Sequence, residues 1–181
     1  MENAYKRKKE PELNKQLILE AATDIGAAED WHQVTFQAIA DKTGLSKGGI
    51  IHHFKNKEEL LDELLRQSLS ELTQWINDYR QKNKETNGAM AYLQAVVSRK
   101  KDEKYTKTMR IILQAIMVNE QYRQMWYEWH KEHIAPPDGN DLDTKSLITY
   151  LVADAIWYME NTGFSIPDDR TKKRIVDYLK S

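Results

Sequence analysis

The chain has 181 residues, a formal net charge of −1 (27 Lys+Arg against 28 Asp+Glu), 40% apolar residues and no cysteine. That length supports one ordinary domain, or a small domain joined to a larger one, and the composition fits a folded, water-soluble protein. Disulfide staples, thiolate metal sites and a thiol nucleophile are excluded; no uncharged run approaches the ~20 residues of a membrane span, and the basic amino terminus lacks the apolar stretch of a signal peptide.

A cytoplasmic location is therefore expected. With only seven glycines and four prolines, and few runs of alternating polarity, the sequence predicts an all-α fold of about nine helices. The first helix spans about Pro11 to Ala28, where Leu13, Leu17, Ile18, Ala21, Ile25 and Ala28 recur at helical spacing. A short second helix opens at Thr35, a good N-cap, with Val34 placed to pack on Ile39, and Gly44 stops it. Ser46 caps a third through Phe54. Asn56 caps a fourth, with Glu59 three residues on, and an apolar stripe from Leu61 to Tyr79 carries it to about Arg80. After a polar loop from Asn83 to Gly88, helices are expected near Ala89–Arg99, Glu103–Val118 and Glu120–Ile134. The break from Ala135 to Asp141 precedes two more, about Asp143–Thr162 and Asp168–Lys180.

Two short helices joined around Gly44 form a helix-turn-helix pattern, with Ala40 at the crossing and Leu45 and Ile50 as core plugs. On spacing alone, a tight corner in an ordinary α bundle fits equally well. Charge placement favours a nucleic-acid surface. From Lys42 to Lys57 there are four lysines, two histidines and no acid, and Lys6-Arg7-Lys8-Lys9 form a second basic cluster. Residues 1–66 as a whole hold 10 basic and 12 acidic groups, so the positive charge is gathered rather than spread. Phosphate contacts require such a gathering of cations and helix-terminal N–H groups on one face.

The segment Thr35 to Phe54 (TFQAIADKTGLSKGGIIHHF), followed by Lys57-Glu58-Glu59-Leu60, resembles the DNA-binding domain of tetracycline-repressor (TetR) type transcriptional regulators over roughly residues 12–72. The resemblance implies a helix-turn-helix at 35–54 whose third helix enters the major groove of a double-stranded operator. It assigns Thr35 and Lys57 to phosphates, and Ser46, Lys47, Gly48, Gly49, His52 and His53 to the start and face of the recognition helix. Trp31, Leu45 and Phe54 go to the small core. One departure stands out: the family carries a tyrosine just before the His-Phe pair or one position earlier, where Ile51 and His52 stand here. Backbone affinity then leans on His52, Lys47, Lys57 and the basic arm.

By the same resemblance, residues 73–181 form a helical effector-binding and dimerisation domain, pairing as a homodimer through the last two long helices. Leu147, Leu151, Ala155 and Tyr158, flanked by Ile148, Val152 and Ile156, make the first of those helices apolar over an arc wide enough to bury two sides. Candidate pocket residues for a small-molecule effector are Trp75, Tyr79, Met109, Leu113, Met117, Trp126, Tyr127, Trp129 and Trp157, each of which also suits plain core. Asp154, the lone acid of its apolar helix, is a candidate counter-ion for a cationic effector, or an interface or solvent residue. His130 and His133 share a helical face, but no HExxH or di-iron pattern accompanies them, and no metal, cofactor or catalytic set is expected. The expected protein is a ligand-responsive regulator, most often a repressor in this family; the alternative is a helical binding or adaptor protein that keeps a non-functional corner.

Overall fold

The structure is a computed structural model, which describes residues 11–29, 31–84, 87–99, 103–135, 142–164 and 167–181. The basic arm at 6–9 and the double-proline break at 136–137 lie outside the described residues. Among those described, nine α-helices and one 3-10 turn (Trp31–Gln33) make up the regular structure: α1 (Pro11–Ala28), α2 (Phe36–Thr43), α3 (Lys47–His53), α4 (Lys57–Asn83), α5 (Gly88–Ser98), α6 (Glu103–Val118), α7 (Glu120–His133), α8 (Thr144–Thr162) and α9 (Asp169–Lys180). They form two compact units that divide at Leu64–Leu65, inside α4 and before the expected boundary at 72.

Local side-chain chemistry sets most boundaries. The Thr35 hydroxyl accepts from Ala38 N–H, Ser46 from Gly49 N–H and Asn56 Oδ1 from Glu59 N–H, at 3.0, 3.0 and 2.8 Å. Glu59 reaches back to Lys55 N–H rather than to Asn56, a capping box displaced by one residue. Gly44 ends α2 at φ 71°, a left-handed conformation that costs glycine little. Helix α4 runs three residues past the expected end: the Asn83 side chain donates to the Tyr79 carbonyl, and the chain turns away only at Lys84, φ 52°.

In the first unit, Ile18, Leu19 and Ala22 of α1 meet Val34, Ile39, Ile50, Phe54, Leu60 and Leu64 in a single core. Fully burying each large aliphatic side chain contributes roughly 1.5–3 kcal/mol. Trp31 and Leu45 pack at the edge of this core and Phe54 lies within it. Leu13 and Leu17, expected on the core face, are instead 52% and 37% exposed. Helices of eight and seven residues, some 10–12 Å each, are too short to cover an 18-residue partner.

The second unit is built around α5, whose residues from Ala89 to Val96 are all buried. An all-round apolar helix has to be central, and α5 packs chiefly on α8, with α9 also against it. Trp129 on α7 donates its indole N–H to the Thr73 hydroxyl on α4, and Trp157 on α8 donates to the Tyr105 hydroxyl on α6. Between α8 and α9, Lys172 is buried and pairs with Glu160. Among the described residues no helix is long and apolar enough to cross a membrane.

Candidate nucleic-acid interface and effector site

Helix α3 buries Ile50 and presents Lys47, Gly48, Ile51 and His52 to solvent. Both Ser46 and Thr35 are exposed at the starts of their helices. Each hydroxyl accepts from its own helix and so keeps its proton available to an external acceptor. Gly49 is half-buried, and a Cβ there would meet Ser46 Oγ at 3.2 Å. His53 is half-buried too, its ring edge-on to His52 with centroids 5.7 Å apart. Lys57 opens α4 as expected, but its ammonium is already guided by the chain: Nζ donates to the His32 carbonyl at 3.3 Å and lies 5.0 Å from the Trp31 ring centre. That contact is not legible in the chain, because the 3-10 turn carrying Trp31 and His32 has no periodicity to read.

Among the described residues a Cβ on Gly48 would touch nothing within 4 Å. None of them therefore demands glycine there, although glycine weakens a helix. Gly48→Ala is expected to raise stability by about 0.4–1 kcal/mol in chemical denaturation. The same change should weaken duplex binding, read by fluorescence anisotropy, if a DNA backbone approaches the helix at that point.

In the second unit the candidate pocket residues separate. Met109 and Trp157 are buried, and Trp75, Leu113 and Trp126 half-buried. Met117 and Tyr127 are 74% and 57% exposed, so both leave the pocket set. Each is on a helix whose opposite face is packed, and helical spacing alone does not fix how such a helix is rotated toward its neighbours. The enclosed rings form a chain. Trp126 lies tilted against Trp157 at 4.8 Å and 5.7 Å from Trp129, and Trp129 stands 6.1 Å from Tyr92, which lies 6.1 Å from Tyr150. At the far end the Arg99 guanidinium sits 4.5 Å from the centre of Trp75 and 3.2 Å from that of Tyr105. Arg99, Tyr92, Tyr105 and Tyr150 join this cluster without any spacing in the sequence that marks them for it. The uncharged run Ala89–Val97, apolar but for Gln94, was the available signal that Tyr92 faces a core.

The polar group of this cluster is Asp154. Tyr92 donates to its Oδ1 at 3.0 Å, and Tyr150 also bonds the carboxyl. Burial raises its pKa above the usual aspartate value, against the opposing effect of these two phenols. Ionised Asp154 therefore costs stability: its contribution is most favourable below the unfolded pKa and is lost as pH rises through the folded one. Burial also pushes the Tyr150 phenol up to about 12, with the Asp154 charge adding to it, and holds His130 below its usual value. His130 packs on Tyr150 at 4.1 Å, and His133 lies 5.5 Å from Trp129. Among the described residues no group of three or more potential ligands is placed to hold a metal ion.

Two features coexist here: a capped helix-turn-helix whose second helix shows a basic, acid-free face, and a separate helical unit lined with aromatics. Together they are the two parts that a ligand-responsive helix-turn-helix regulator requires. Residues 18–64 match the family model described as bacterial regulatory proteins, tetR family, and residues 87–181 match the tetracyclin repressor-like C-terminal domain. The HTH-type transcriptional repressor KstR2 of Mycolicibacterium smegmatis is 30% identical over 165 residues, covering 82% of this chain and 78% of that protein. A TetR-family member from Streptomyces coelicolor, SCO1917, superposes with a TM-score of 0.69 at 14% identity, over 91% of this chain and 96% of its own. The multidrug binding protein EbrR, complexed with malachite green, superposes at 0.68 with the same identity and the same coverage of both chains. At that identity the superpositions speak for the fold. The chain belongs to the TetR family of bacterial regulatory proteins, and it is a DNA-binding transcriptional regulator rather than an enzyme.

Proposed function

We propose that the protein is a homodimeric repressor that holds a palindromic operator through α3 and releases it when a small-molecule effector binds the second unit. The observation that carries this reading is the exposed face of α3, with Lys47, Gly48 and His52 outward and no acid from Lys42 to Lys57. Thr35, Ser46 and Lys57 supply phosphate contacts around it, and His53 and Gly49 set the helix against its neighbours. Two copies of α3 enter successive major grooves, about 34–36 Å apart. Support for pairing through α8 and α9 comes from Leu147, Ile148, Leu151 and Tyr158, each 42–55% exposed, and from an apolar groove formed by Ile148, Val152, Ile175, Tyr178 and Leu179. EbrR, a multidrug binding protein of the same fold, supports a small-molecule site among Trp75, Met109, Leu113, Trp126 and Trp157. Effector binding acts by population shift, favouring a conformation whose two α3 helices no longer match the groove spacing.

Titration of a random duplex at several salt concentrations tests the reading. Salt-sensitive binding is expected, and Lys57→Ala should lower the slope of log K against log salt by about one per subunit. Binding that ignores salt would favour a helical binding protein with a silent corner, a reading supported by the exposed Ile51 in place of the family tyrosine and by Gly48 and Gly49, which bring no side-chain donor to α3.

A further inference from the structure

Thr35 and Lys57, both read as phosphate contacts, are far apart in the chain, and the turn Trp31–Gln33 brings them into one neighbourhood. It closes with Val34 N–H donating to the Trp31 carbonyl at 3.2 Å, and Thr35 follows as the N-cap of α2. Against this turn lies the ammonium of Lys57, the first residue of α4. Its Nζ donates to the His32 carbonyl at 3.3 Å and stands over the Trp31 ring, 5.0 Å from the centre. The three residues of chain from His32 to Thr35 span at most about 11 Å. A lysine gives up much rotamer freedom when it grips one phosphate, and a side chain already held in place has less to lose. A carbonyl oxygen and a ring face attract the ammonium without cancelling its charge, as a carboxylate would. Trp31 is only half-buried, at the edge of the first core. An aliphatic residue can also cover a core edge, whereas attraction of a cation needs the ring.

We propose that Trp31 is a positioning residue for duplex binding: its ring, with the His32 carbonyl, holds the Lys57 ammonium against the turn that leads into Thr35, so that Lys57 meets a phosphate already ordered. This rests on the operator reading above and adds to it a residue that acts through Lys57 rather than through a contact of its own.

A double-mutant cycle on the full chain tests the assignment, with a random duplex followed by fluorescence anisotropy at about 0.1 M salt. Trp31→Leu should weaken binding by about two- to fivefold per subunit. Trp31→Phe, which keeps a ring, should recover most of that loss. In a Lys57→Met background, where the stem remains and the charge is gone, Trp31→Leu should cost no further affinity. Proton NMR of the DNA-free protein gives a second readout. The ring current of Trp31 should shift the Lys57 ε-methylene protons upfield, and Trp31→Leu should remove the shift. An equal loss with and without the Lys57 charge would make Trp31 a structural residue only and overturn the proposal, and a loss caused by unfolding appears in both backgrounds and counts the same way. Full affinity in Trp31→Leu, or Lys57 resonances that ignore the change, would overturn it too. An upfield shift in a protein whose duplex binding ignores both salt and Lys57→Met would instead reject the operator reading, and the positioning role with it.

Discussion

Gly88→Ala is expected to destabilise the second unit by about 2–3 kcal/mol, among the larger effects of any single added methyl. Gly88 opens α5 directly after its N-cap Asn87, whose side chain accepts from Met90 N–H and donates to Ser146 Oγ at 2.7 Å. A Cβ at residue 88 would fall inside van der Waals contact with the Ile134 carbonyl oxygen, 3.0 Å from the Ile134 carbonyl carbon and 3.0 Å from Arg80 Nη2. The obstacle is backbone, so no rotamer change relieves it. Moving the end of α7 also disturbs the bond from Arg80 Nη2 to the His133 carbonyl, at 2.9 Å. The measurement is the urea midpoint of full-length protein followed by tryptophan fluorescence, since all five tryptophans but Trp31 lie in this unit. An unchanged midpoint would mean that α5 and α7 yield at this contact far more easily than packed backbone does.

Lys47→Glu should produce the largest change in function, a loss of duplex affinity of at least tenfold at about 0.1 M salt, with the salt slope of a dimer reduced by about two. Lys47 is the exposed first residue of α3, directly after the cap Ser46. A glutamate there places negative charge at a helix N-terminus, which stabilises the helix by about 0.3–1 kcal/mol. Affinity and stability are therefore expected to move in opposite directions, so weaker binding cannot be attributed to unfolding. Calorimetric melting alongside anisotropy at several salt concentrations reads both. Full retention of affinity would place α3 outside the groove.

The starts and stops of the helices were legible because each depends on groups within four residues. Thr35, Ser46 and Asn56 cap the N–H groups that follow them, and Gly44 turns the chain at the end of α2. The corner could be read for the same reason: cap, glycine and plug occupy fixed short offsets. The arrangement of the aromatics could not. Met117 and Tyr127 share the composition of a pocket yet lie on the surface, while Arg99 comes to rest on Trp75 and Tyr105.

The all-α class, most helix limits and the basic, acid-free character of the α3 segment follow from the order of residues, since propensity, capping and charge are local properties. Tertiary structure alone decided that Leu13 and Leu17 stay outside the first core, that Lys57 leans on Trp31, and that Tyr92 reaches Asp154 across 62 residues. Those outcomes depend on how each helix is rotated and how much of it a neighbour can cover. Packing of whole faces sets these quantities, and no short stretch of chain encodes them.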